Sequence, residues 1–288
     1  MLVDDAGSDD TENYISQLSH SHPMLKYIRH RWQEGTPAAR NTGLDNLSPS
    51  CTHVLFGEDD VLLQDDYCTK LLRNMEAFDC DIVGGRLLPI GPNETPDECI
   101  QRHDDLVSRM RSSGRLPPLI DEETIMGNWF FPDRVKNPLG LQPCCLSKRR
   151  VFRSLRFDKN YRFNYEREET DLWLRARKMG FQLLYAPECV AFHSIKKRGG
   201  RYAYGSHFPP AIVEIMNLVG LQTDVYCILN NRYFLEKFYK YLRTECAYRH
   251  GKEYYNCIYA LRRLSRRVAE LAFFISRRGS KSGDELVS

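Results

Sequence analysis

The sequence predicts an α/β fold in which a sheet is flanked by helices, and three observations support this class. Short apolar runs that suit buried strands alternate with stretches whose apolar residues recur at helical spacing. The apolar run at residues 54–56 is followed by three carboxylates, those of Glu58, Asp59 and Asp60. A second apolar run, at residues 81–86, ends in glycines. Ligands of open α/β sheets bind at such strand ends, so a binding site is expected there.

The three consecutive carboxylates have a specific chemical meaning. Such groups repel one another unless a cation or a cationic ligand lies among them. Hard oxygen ligands of this kind suit Mg²⁺ or Mn²⁺, which usually hold substrate phosphates as well. The stretch on its own is equally compatible with a solvated acidic turn that closes a strand.

Length and charge suggest one large domain, or one domain with a helical appendage. The chain has 288 residues, of which 42% are hydrophobic and 27% charged, as in ordinary soluble globular proteins. Residues 229–281 hold 13 Lys or Arg against 4 Asp or Glu, whereas the whole chain has a net charge of only +3. An acidic body with a basic C-terminal end predicts two different tasks.

The cysteine pattern and the apolar runs predict the compartment. The ten cysteines form no C-x-x-C pair and no metal-finger spacing, which favours a reduced, cytoplasmic protein. No signal peptide opens the sequence, and no apolar run reaches the roughly 20 residues that a membrane-spanning helix needs. The sequence therefore predicts that this is not an integral membrane protein.

The first fifty residues predict the end of a strand, two helices and a second strand. We expect a helix from near Asp10 or Thr11, a strand at residues 25–30, and a helix with Thr36 as N-cap and Pro37 at its first position. Arg40 lies in the first turn of that helix, where a cation opposes the helix dipole. This placement suggests an anionic or carbonyl-bearing ligand, although a plain surface arginine is the alternative.

The middle of the chain continues the alternation. It predicts a helix at residues 67–77, a polar helix at 98–111, a strand at 144–148 and a short helix from 149. The aromatic cluster at residues 129–131 is interpreted as core, with a platform for a sugar ring as the alternative.

A helix at residues 166–180 follows, with Leu172, Ala176 and Met179 on one face and Gly180 as its C-cap. Acidic residues crowd its first turn, and one interpretation of Glu168 and Glu169 is that they are simple partners of the helix dipole. Two short strands split by Pro187 and ending at His193 come next, then a basic loop at residues 196–201.

Four of these stretches together resemble the family 2 glycosyltransferases with the GT-A fold. They are Val3-Asp4-Asp5-Ala6-Gly7-Ser8, Ala39-Arg40-Asn41-Thr42-Gly43, Phe56-Gly57-Glu58-Asp59-Asp60, and Glu168-Glu169-Thr170-Asp171-Leu172 continuing to His193. The resemblance covers about 200 residues. It implies a Rossmann-like mixed central sheet, a nucleotide-sugar donor that is most often a UDP-sugar, and Mg²⁺ or Mn²⁺ bridging its diphosphate.

The resemblance also implies roles for individual residues. Asp5, with Asp4 beside it, matches the carboxylate that pairs with the N–H of the base, and Arg40 matches the helix residue beside that base. Glu58, Asp59 and Asp60 occupy the D-x-D position, where Asp60 is the expected metal ligand. Glu58 stands where Asp is usual, which puts direct ligation by Glu58 in question.

The catalytic position of the family falls on the later helix. Glu169 matches the general base that deprotonates the acceptor hydroxyl, with Glu168 as its nearest rival, and His193 matches an additional metal ligand of some members. The implied activity is inverting transfer to a hydroxyl of a glycan or lipid-linked acceptor, without a nucleic-acid partner. A plain core or surface histidine is the alternative for His193.

One departure concerns the start of the sequence. Family members usually begin with a strand and loop of the type V-S-V-I-I-P-T-Y-N, and no such segment precedes Val3. We expect a fragment or a mis-assigned start, with a degenerate, inactive copy as the alternative. For the chain as it stands, we expect an interrupted central sheet and weak donor binding.

The domain boundary is predicted near residue 203. Residues 1–203 form the expected glycosyltransferase domain, and residues 204–288 form a helical C-terminal extension with a disordered tail. Helices are expected at residues 233–248 and 252–274. The second has an apolar face and a basic face, which suits a membrane surface, or packing on the catalytic domain. The protein is thus expected to be cytoplasmic, and the membrane-surface interpretation would make it peripheral on the cytoplasmic membrane face.

Two other functions are compatible with these patterns. One is a non-catalytic scaffold of the same fold, left by loss of the first strand. The other is a nucleotidyltransferase that uses a similar sheet and metal site, which is less favoured because the helix from Glu168 and the following His193 match the glycosyltransferase arrangement.

Overall fold

A computed structural model describes residues 1–121, 126–159 and 168–194. Ten strands lie in these ranges: β1 (Leu2–Asp4), β2 (Tyr27–Arg29), β3 (His53–Leu55), β4 (Val61–Leu63), β5 (Ile82–Ile90), β6 (Ile120–Asp121), β7 (Met126–Gly127), β8 (Val135–Lys136), β9 (Leu146–Lys148) and β10 (Leu183–Ser194). The α-helices are α1 (Thr11–Ser21), α2 (Thr36–Asp45), α3 (Tyr67–Ala77), α4 (Pro96–Ser112) and α5 (Glu168–Lys178), and a short 3₁₀ helix covers Arg149–Arg153.

The largest sheet is mixed, as predicted. Its hydrogen-bonded order is β3-β9-β5-β10-β4, and β8 also pairs with β10. β5 and β10 are parallel, and β3 runs in the same direction because both β3 and β5 are antiparallel to β9. The carboxyl ends of β3, β5 and β10 therefore lie at one edge of the sheet, which is where ligands of such sheets bind.

Alternating residues of the central strands supply two cores on opposite faces of this sheet. Ile82 and Leu183 belong to the core that includes Leu172 and Trp173 of α5. Their neighbours Val83 and Leu184 belong to the core beneath α3. Successive side chains of a strand point to opposite faces, so one strand pair serves both helical layers.

β1 and β2 form a separate parallel pair. Their register joins Leu2 to Tyr27 and Asp4 to Arg29, and neither strand is hydrogen-bonded to the main sheet. Among the described strands, β3 pairs only with β9. The interruption of the sheet that was expected for this sequence is thus present in the described part of the fold.

The helices follow the sequence predictions closely, with two corrections. α1, α3 and α4 lie where expected, but the N-cap of α2 is Gly35 rather than Thr36, so Pro37 is the second helical residue. Gly35 has a φ of 94°, a conformation that glycine adopts without a steric penalty. On α5, Leu172 and Ala176 are buried as predicted, whereas Met179 is 51% exposed because it lies past the end of the helix.

The two predicted strands on either side of Pro187 are a single strand, and that prediction was wrong. β10 runs from Leu183 to Ser194 and is parallel to β5 on both sides of an irregularity between Tyr185 and Val190. Pro187 lies in the irregular stretch, where the ladder needs no N–H from it. The bulged chain passes so close to β5 that a Cβ on Gly85 would lie 2.0 Å from the carbonyl oxygen of Cys189.

The aromatic cluster at residues 129–131 packs against the hydrophobic cores, which is the interpretation that the sequence favoured. Trp129 and Phe131 are partly buried against the core beneath α5, and Phe130 packs against a smaller core with Cys99 and Phe192. The Tyr185 hydroxyl donates to the carbonyl oxygens of Trp129 and Phe131. The cluster therefore ties the β7–β8 connection to β10.

Several predictions concern residues outside the described ranges. These are the basic loop at 196–201, the helices at 233–248 and 252–274, the C-terminal tail and the domain boundary near residue 203, all of which stay predictions. Within the described ranges, no helix combines the length and the apolar character needed to cross a bilayer.

Candidate active site

The predicted site residues converge at the edge formed by the carboxyl ends of β3, β5 and β10. Glu58 and Asp60 follow β3, His193 lies near the end of β10, and Glu168 begins α5. Arg40 reaches the same place from α2. Residues whose side chains contact one another across up to 133 positions in sequence thus meet in one cluster.

Arg40 is the cation at the centre of this cluster. Its side chain is 8% exposed, and one terminal nitrogen donates to the Oε1 atom of Glu168. The other terminal nitrogen donates to the Oε1 atom of Glu58 over 2.8 Å. Burial acts to lower the pKa of Arg40, but Glu168, Glu169 and Glu58 outweigh it and raise this pKa above its ordinary value. The alternative interpretation of Arg40 as a plain surface arginine is therefore excluded.

The two glutamates that open α5 differ in environment. Glu168 is 3% exposed, and burial and the neighbouring Glu169 raise its pKa well above the ordinary range, against the opposing effect of Arg40. Glu169 is half-buried and close enough to Glu58 to act on its pKa. Glu168 is thus more than a partner of the helix dipole, because its buried side chain accepts a hydrogen bond from Arg40. Glu169 is the more accessible carboxylate of the two.

Glu58 lies between the arginine and the other carboxylates. Burial raises the pKa of Glu58, Arg40 and His193 oppose this, and Glu169 and Asp60 act in the same direction as burial. The site therefore gathers more carboxylates than cations. A further positive charge would lower its electrostatic energy.

Asp60 and His193 are brought together by strand pairing. β10 is antiparallel to β4, with His193 opposite Val61, and the backbone N–H of Ser194 donates to the carbonyl of Asp60. This register places the Nε2 atom of His193 3.2 Å from the Oδ2 atom of Asp60. Asp59, which lies between Glu58 and Asp60 in the sequence, is exposed. The two predicted metal ligands are thus neighbours across a strand pair.

The fit of a divalent cation rests on this pair. In the described ranges, no group of three or more His, Cys, Asp or Glu side chains is arranged to hold a metal by itself. Mg²⁺ and Mn²⁺ sites that use one or two protein ligands, with phosphates and water completing the shell, do not need such a group. Burial raises the pKa of Cys144, a buried thiol near Glu58, to about 12. A thiol is also a soft ligand, which suits Mg²⁺ or Mn²⁺ poorly.

Asp4 and Asp5 lie at the end of β1, and both are anchored within the protein. Asp4 accepts hydrogen bonds from the backbone N–H of Gly7 and from the hydroxyl of Tyr27. Asp5 accepts from the backbone N–H groups of Glu34 and Gly35, and its Oδ1 atom lies 2.8 Å from the Nδ1 atom of His30. A carboxylate has about four acceptor positions, so Asp5 keeps capacity for one further donor.

Two contributors to this region were missed from the sequence. His30 links Asp5 to the hydroxyl of Thr42 on α2, with its Nε2 atom 2.9 Å from the Oγ1 atom. Asn41 exchanges two hydrogen bonds with the backbone of Phe157. Asn41 and Thr42 are the two residues that follow Arg40 in the sequence. The motif around Arg40 was therefore itself a signal that this stretch contacts several other parts of the protein.

Comparisons with known proteins agree with this arrangement. Residues 1–153, more than half of the chain, match the family model described as glycosyl transferase family 2. The glycosyltransferase GlyA of Streptococcus pneumoniae serotype 4 is 28% identical over 94 residues, which are 33% of this chain and 13% of GlyA.

Two solved structures are similar in fold. S. aureus TarS, residues 1–349 in complex with UDP-GlcNAc, superimposes with a TM-score of 0.54 and 11% identity, over 84% of this chain and 61% of that one. GalNAc-T7 with UDP, GalNAc and Mn²⁺ gives a TM-score of 0.54 and 12% identity, over 99% and 52%. At such identities the likeness concerns the fold, which is the predicted GT-A type.

This chain spans only part of the length of each of these proteins, from 13% of GlyA to 61% of the TarS fragment. The family assignment rests on the model match, which includes Asp5, Arg40 and Asp60. The chain belongs to glycosyl transferase family 2.

Proposed function

We propose that the chain transfers a sugar from a nucleotide-sugar donor to a hydroxyl of a glycan or lipid-linked acceptor, with inversion at the anomeric carbon. The observation that carries the proposal is the convergence of Glu58, Asp60, Glu168 and His193 at the carboxyl edge of the parallel strands. Family membership and the ligands named for the similar structures, UDP-GlcNAc and UDP with Mn²⁺, support it.

The donor is proposed to lie between the end of β1 and the segment after β3. Asp5, with one acceptor position left, is suited to an N–H group of a nucleobase such as uracil. Glu58 and Asp59 stand where the ribose and diphosphate of the donor are proposed to lie. A UDP-sugar is the simplest donor.

Asp60 and His193 would hold a Mg²⁺ or Mn²⁺ ion at the diphosphate. When bound, such an ion neutralises the negative charge that develops on the leaving diphosphate. The excess of carboxylates around a single arginine supports this assignment, because these groups become less repulsive beside a cation.

Glu169 is proposed as the general base. The acceptor oxygen attacks the anomeric carbon from the face opposite the diphosphate and passes its proton to the Glu169 carboxylate. As the new C–O bond forms, the bond to the diphosphate breaks and its electron pair leaves with the diphosphate. Glu169 suits this role better than Glu168, which is buried and occupied by Arg40.

A donor screen read by mass spectrometry tests this proposal. Wild type is assayed with Mn²⁺, a panel of nucleotide-sugars at millimolar concentration and simple glycan or lipid-linked acceptors. The high donor concentration allows for weak donor binding, which stays a prediction made from the interrupted sheet. We expect Glu169→Gln to lower turnover by about 10²- to 10⁴-fold, the usual contribution of a general base.

Glu76→Gln on α3 is the matched control, because Glu76 is an exposed glutamate in the last turn of α3 and is not one of the proposed site residues. Its turnover should equal that of wild type. Unchanged turnover of Glu169→Gln would remove this residue from the mechanism, and retention of the anomeric configuration in the product would exclude inversion.

The setting of the reaction is proposed from the sequence pattern. Seven cysteines lie in the described ranges and all have free thiols, which supports a reducing, cytoplasmic compartment. The basic C-terminal segment is proposed to contact an anionic membrane surface, where a lipid-linked acceptor would be found.

A further inference from the structure

The Arg40–Asn41 pair contacts three parts of the molecule that surround the proposed site. Arg40 donates to Glu58 after β3 and to Glu168 at the start of α5. Asn41 donates to the carbonyl oxygen of Phe157 over 2.9 Å and accepts from the backbone N–H of Phe157 over 3.0 Å. Both side chains are buried, with exposures of 8% and 7%.

Phe157 completes this arrangement. Its ring packs edge-on against Phe56, which directly precedes the Gly57–Asp60 segment, with centroids 5.1 Å apart. The guanidinium carbon of Arg40 lies 5.2 Å from the centroid of the Phe157 ring. Adjacent residues of α2 therefore bind the segment before α5, the first residue of α5 and the segment after β3.

We propose that Arg40 and Asn41 are positioning residues that set the distance between the carboxylates after β3 and the base on α5. This inference rests on the proposed function, in which Glu169 acts on an acceptor beside a donor held near Glu58 and Asp60. Arg40 fixes Glu168, the residue before the base, and Asn41 fixes Phe157, whose ring packs against Phe56 at the start of the segment that carries Glu58 and Asp60. Neither role requires contact with the donor.

The chemistry of the two side chains suits such a task. An arginine has a planar fork of donors that binds two carboxylates at once, whereas a lysine is a single point charge on a flexible stem. The amide of Asn41 supplies one donor and one acceptor, which match the N–H and C=O of one residue. An error of about 1 Å in the placement of a catalytic group costs on the order of 10²-fold in rate.

Three variants test the proposal in the full chain: Arg40→Lys, Asn41→Ala and the control Arg149→Lys. Arg149 also uses its guanidinium to join distant backbone groups, the carbonyls of Ser48, Pro49 and Cys51, but lies outside the site. Turnover and KM for the donor are measured for each variant, together with the donor Kd by titration calorimetry.

We expect Arg40→Lys and Asn41→Ala to lower kcat at least about tenfold while the donor KM and Kd change less than twofold. Arg149→Lys should leave kcat unchanged. A donor Kd that weakens as much as kcat falls would overturn the proposal, since it would place Arg40 in contact with the donor. Folded variants with wild-type kcat would overturn it as well.

A second measurement does not depend on activity, so that failure of the proposed function can be told from failure of this inference. Urea unfolding of Arg40→Met, Glu168→Gln and the double variant forms a double-mutant cycle. We expect the change in the unfolding equilibrium constant of the double variant to differ at least about tenfold from the product of the two single changes. Such coupling is typical of residues in one network. Additive effects would show that Arg40 does not hold Glu168.

Discussion

Asp60 and His193 together form a candidate metal site, which neither side chain offers alone. Their facing atoms lie 3.2 Å apart across β4 and β10, at the rim of a cluster with an excess of carboxylates. Asp60→Asn removes a charged oxygen ligand from the proposed metal site, and His193→Ala removes a nitrogen ligand. Since even outer partners of metal ligands contribute about 10- to 100-fold to metal affinity, Asp60→Asn should weaken Mn²⁺ binding at least tenfold.

Titration with Mn²⁺ in the presence of a nucleoside diphosphate measures this affinity without a need for turnover. His193→Ala should weaken Mn²⁺ binding less than Asp60→Asn, because it leaves the carboxylate in place. Asp65→Asn, at an exposed acidic position after β4, serves as the matched control and should bind Mn²⁺ like wild type. Equal Mn²⁺ affinity of Asp60→Asn and wild type would exclude Asp60 as a ligand.

Glu168 links the site to stability. Its pKa in the folded protein is raised well above the ordinary value of 4.5, chiefly by burial, so the folded state keeps this proton to a higher pH than the unfolded chain does. Between the two pKa values only the unfolded state is ionised, and the free energy of unfolding falls as pH rises, by up to about 1.4 kcal/mol per pH unit. The side chain of Glu168→Gln cannot ionise. The difference in free energy of unfolding between this variant and wild type should therefore change with pH.

Urea unfolding at several pH values between 5 and 8 measures that shift. We expect wild type to lose stability relative to Glu168→Gln as pH rises. Glu76→Gln, at an exposed position of α3, should keep a constant difference from wild type over the same range. A wild type that gains stability relative to Glu168→Gln with rising pH would contradict a raised pKa.

At the scale of the elements, close packing on both faces of β5 explains two adjacent glycines. A Cβ on Gly84 would lie 2.7 Å from the Sγ atom of Cys145, and one on Gly85 only 2.0 Å from the carbonyl oxygen of Cys189. The second contact involves backbone at the bulge of β10, which cannot turn aside as a side chain can. This strand pair carries His193, so its geometry also matters to the site.

Gly85→Ala should therefore lower the free energy of unfolding by about 1–3 kcal/mol or more, the usual cost of overpacking. Gly91→Ala is the matched control, because a Cβ there has ordinary contacts of 3.6 Å or more. Urea denaturation of both variants measures the difference. Equal stability of Gly85→Ala and wild type would mean that β10 can move away from β5 at little cost.

At the scale of the whole molecule, charge is divided between an acidic body and a basic C-terminal end. Each Lys or Arg near an anionic membrane contributes about 1 kcal/mol of binding free energy. Changing Arg262, Arg263, Arg266 and Arg267 together to Gln should therefore weaken binding to phosphatidylserine vesicles more than tenfold. Vesicle sedimentation at low and high salt measures this.

A control variant changes four exposed arginines between residues 73 and 153 to Gln. These are Arg73, Arg109, Arg115 and Arg153. This variant should sediment with vesicles like wild type, and neither protein should sediment with neutral phosphatidylcholine vesicles. Binding that does not respond to salt, or that persists in the C-terminal variant, would contradict an electrostatic membrane contact.

The amino-acid sequence by itself predicted the fold class, most helices and the candidate site residues. Periodicity located α3 to the residue, since the spacing of apolar side chains reflects the geometry of one helix. The motifs around Asp5, Arg40, Asp60 and Glu169 are local, so they can be recognised before any long-range contact is known. The continuity of β10 through Pro187 was missed, because a proline's effect depends on whether its position needs a ladder hydrogen bond.

Only the tertiary structure decided which residues act on one another. The bridge from Arg40 to Glu58 and Glu168, the register that joins His193 to Asp60, and the clamp of Asn41 on Phe157 span 18 to 133 positions in sequence. The burial that raises the pKa of Glu168 depends on α2, α5 and the end of β3 meeting in space. Local patterns specify which groups are available, and long-range packing sets their distances and their exposure to water, on which their chemistry depends.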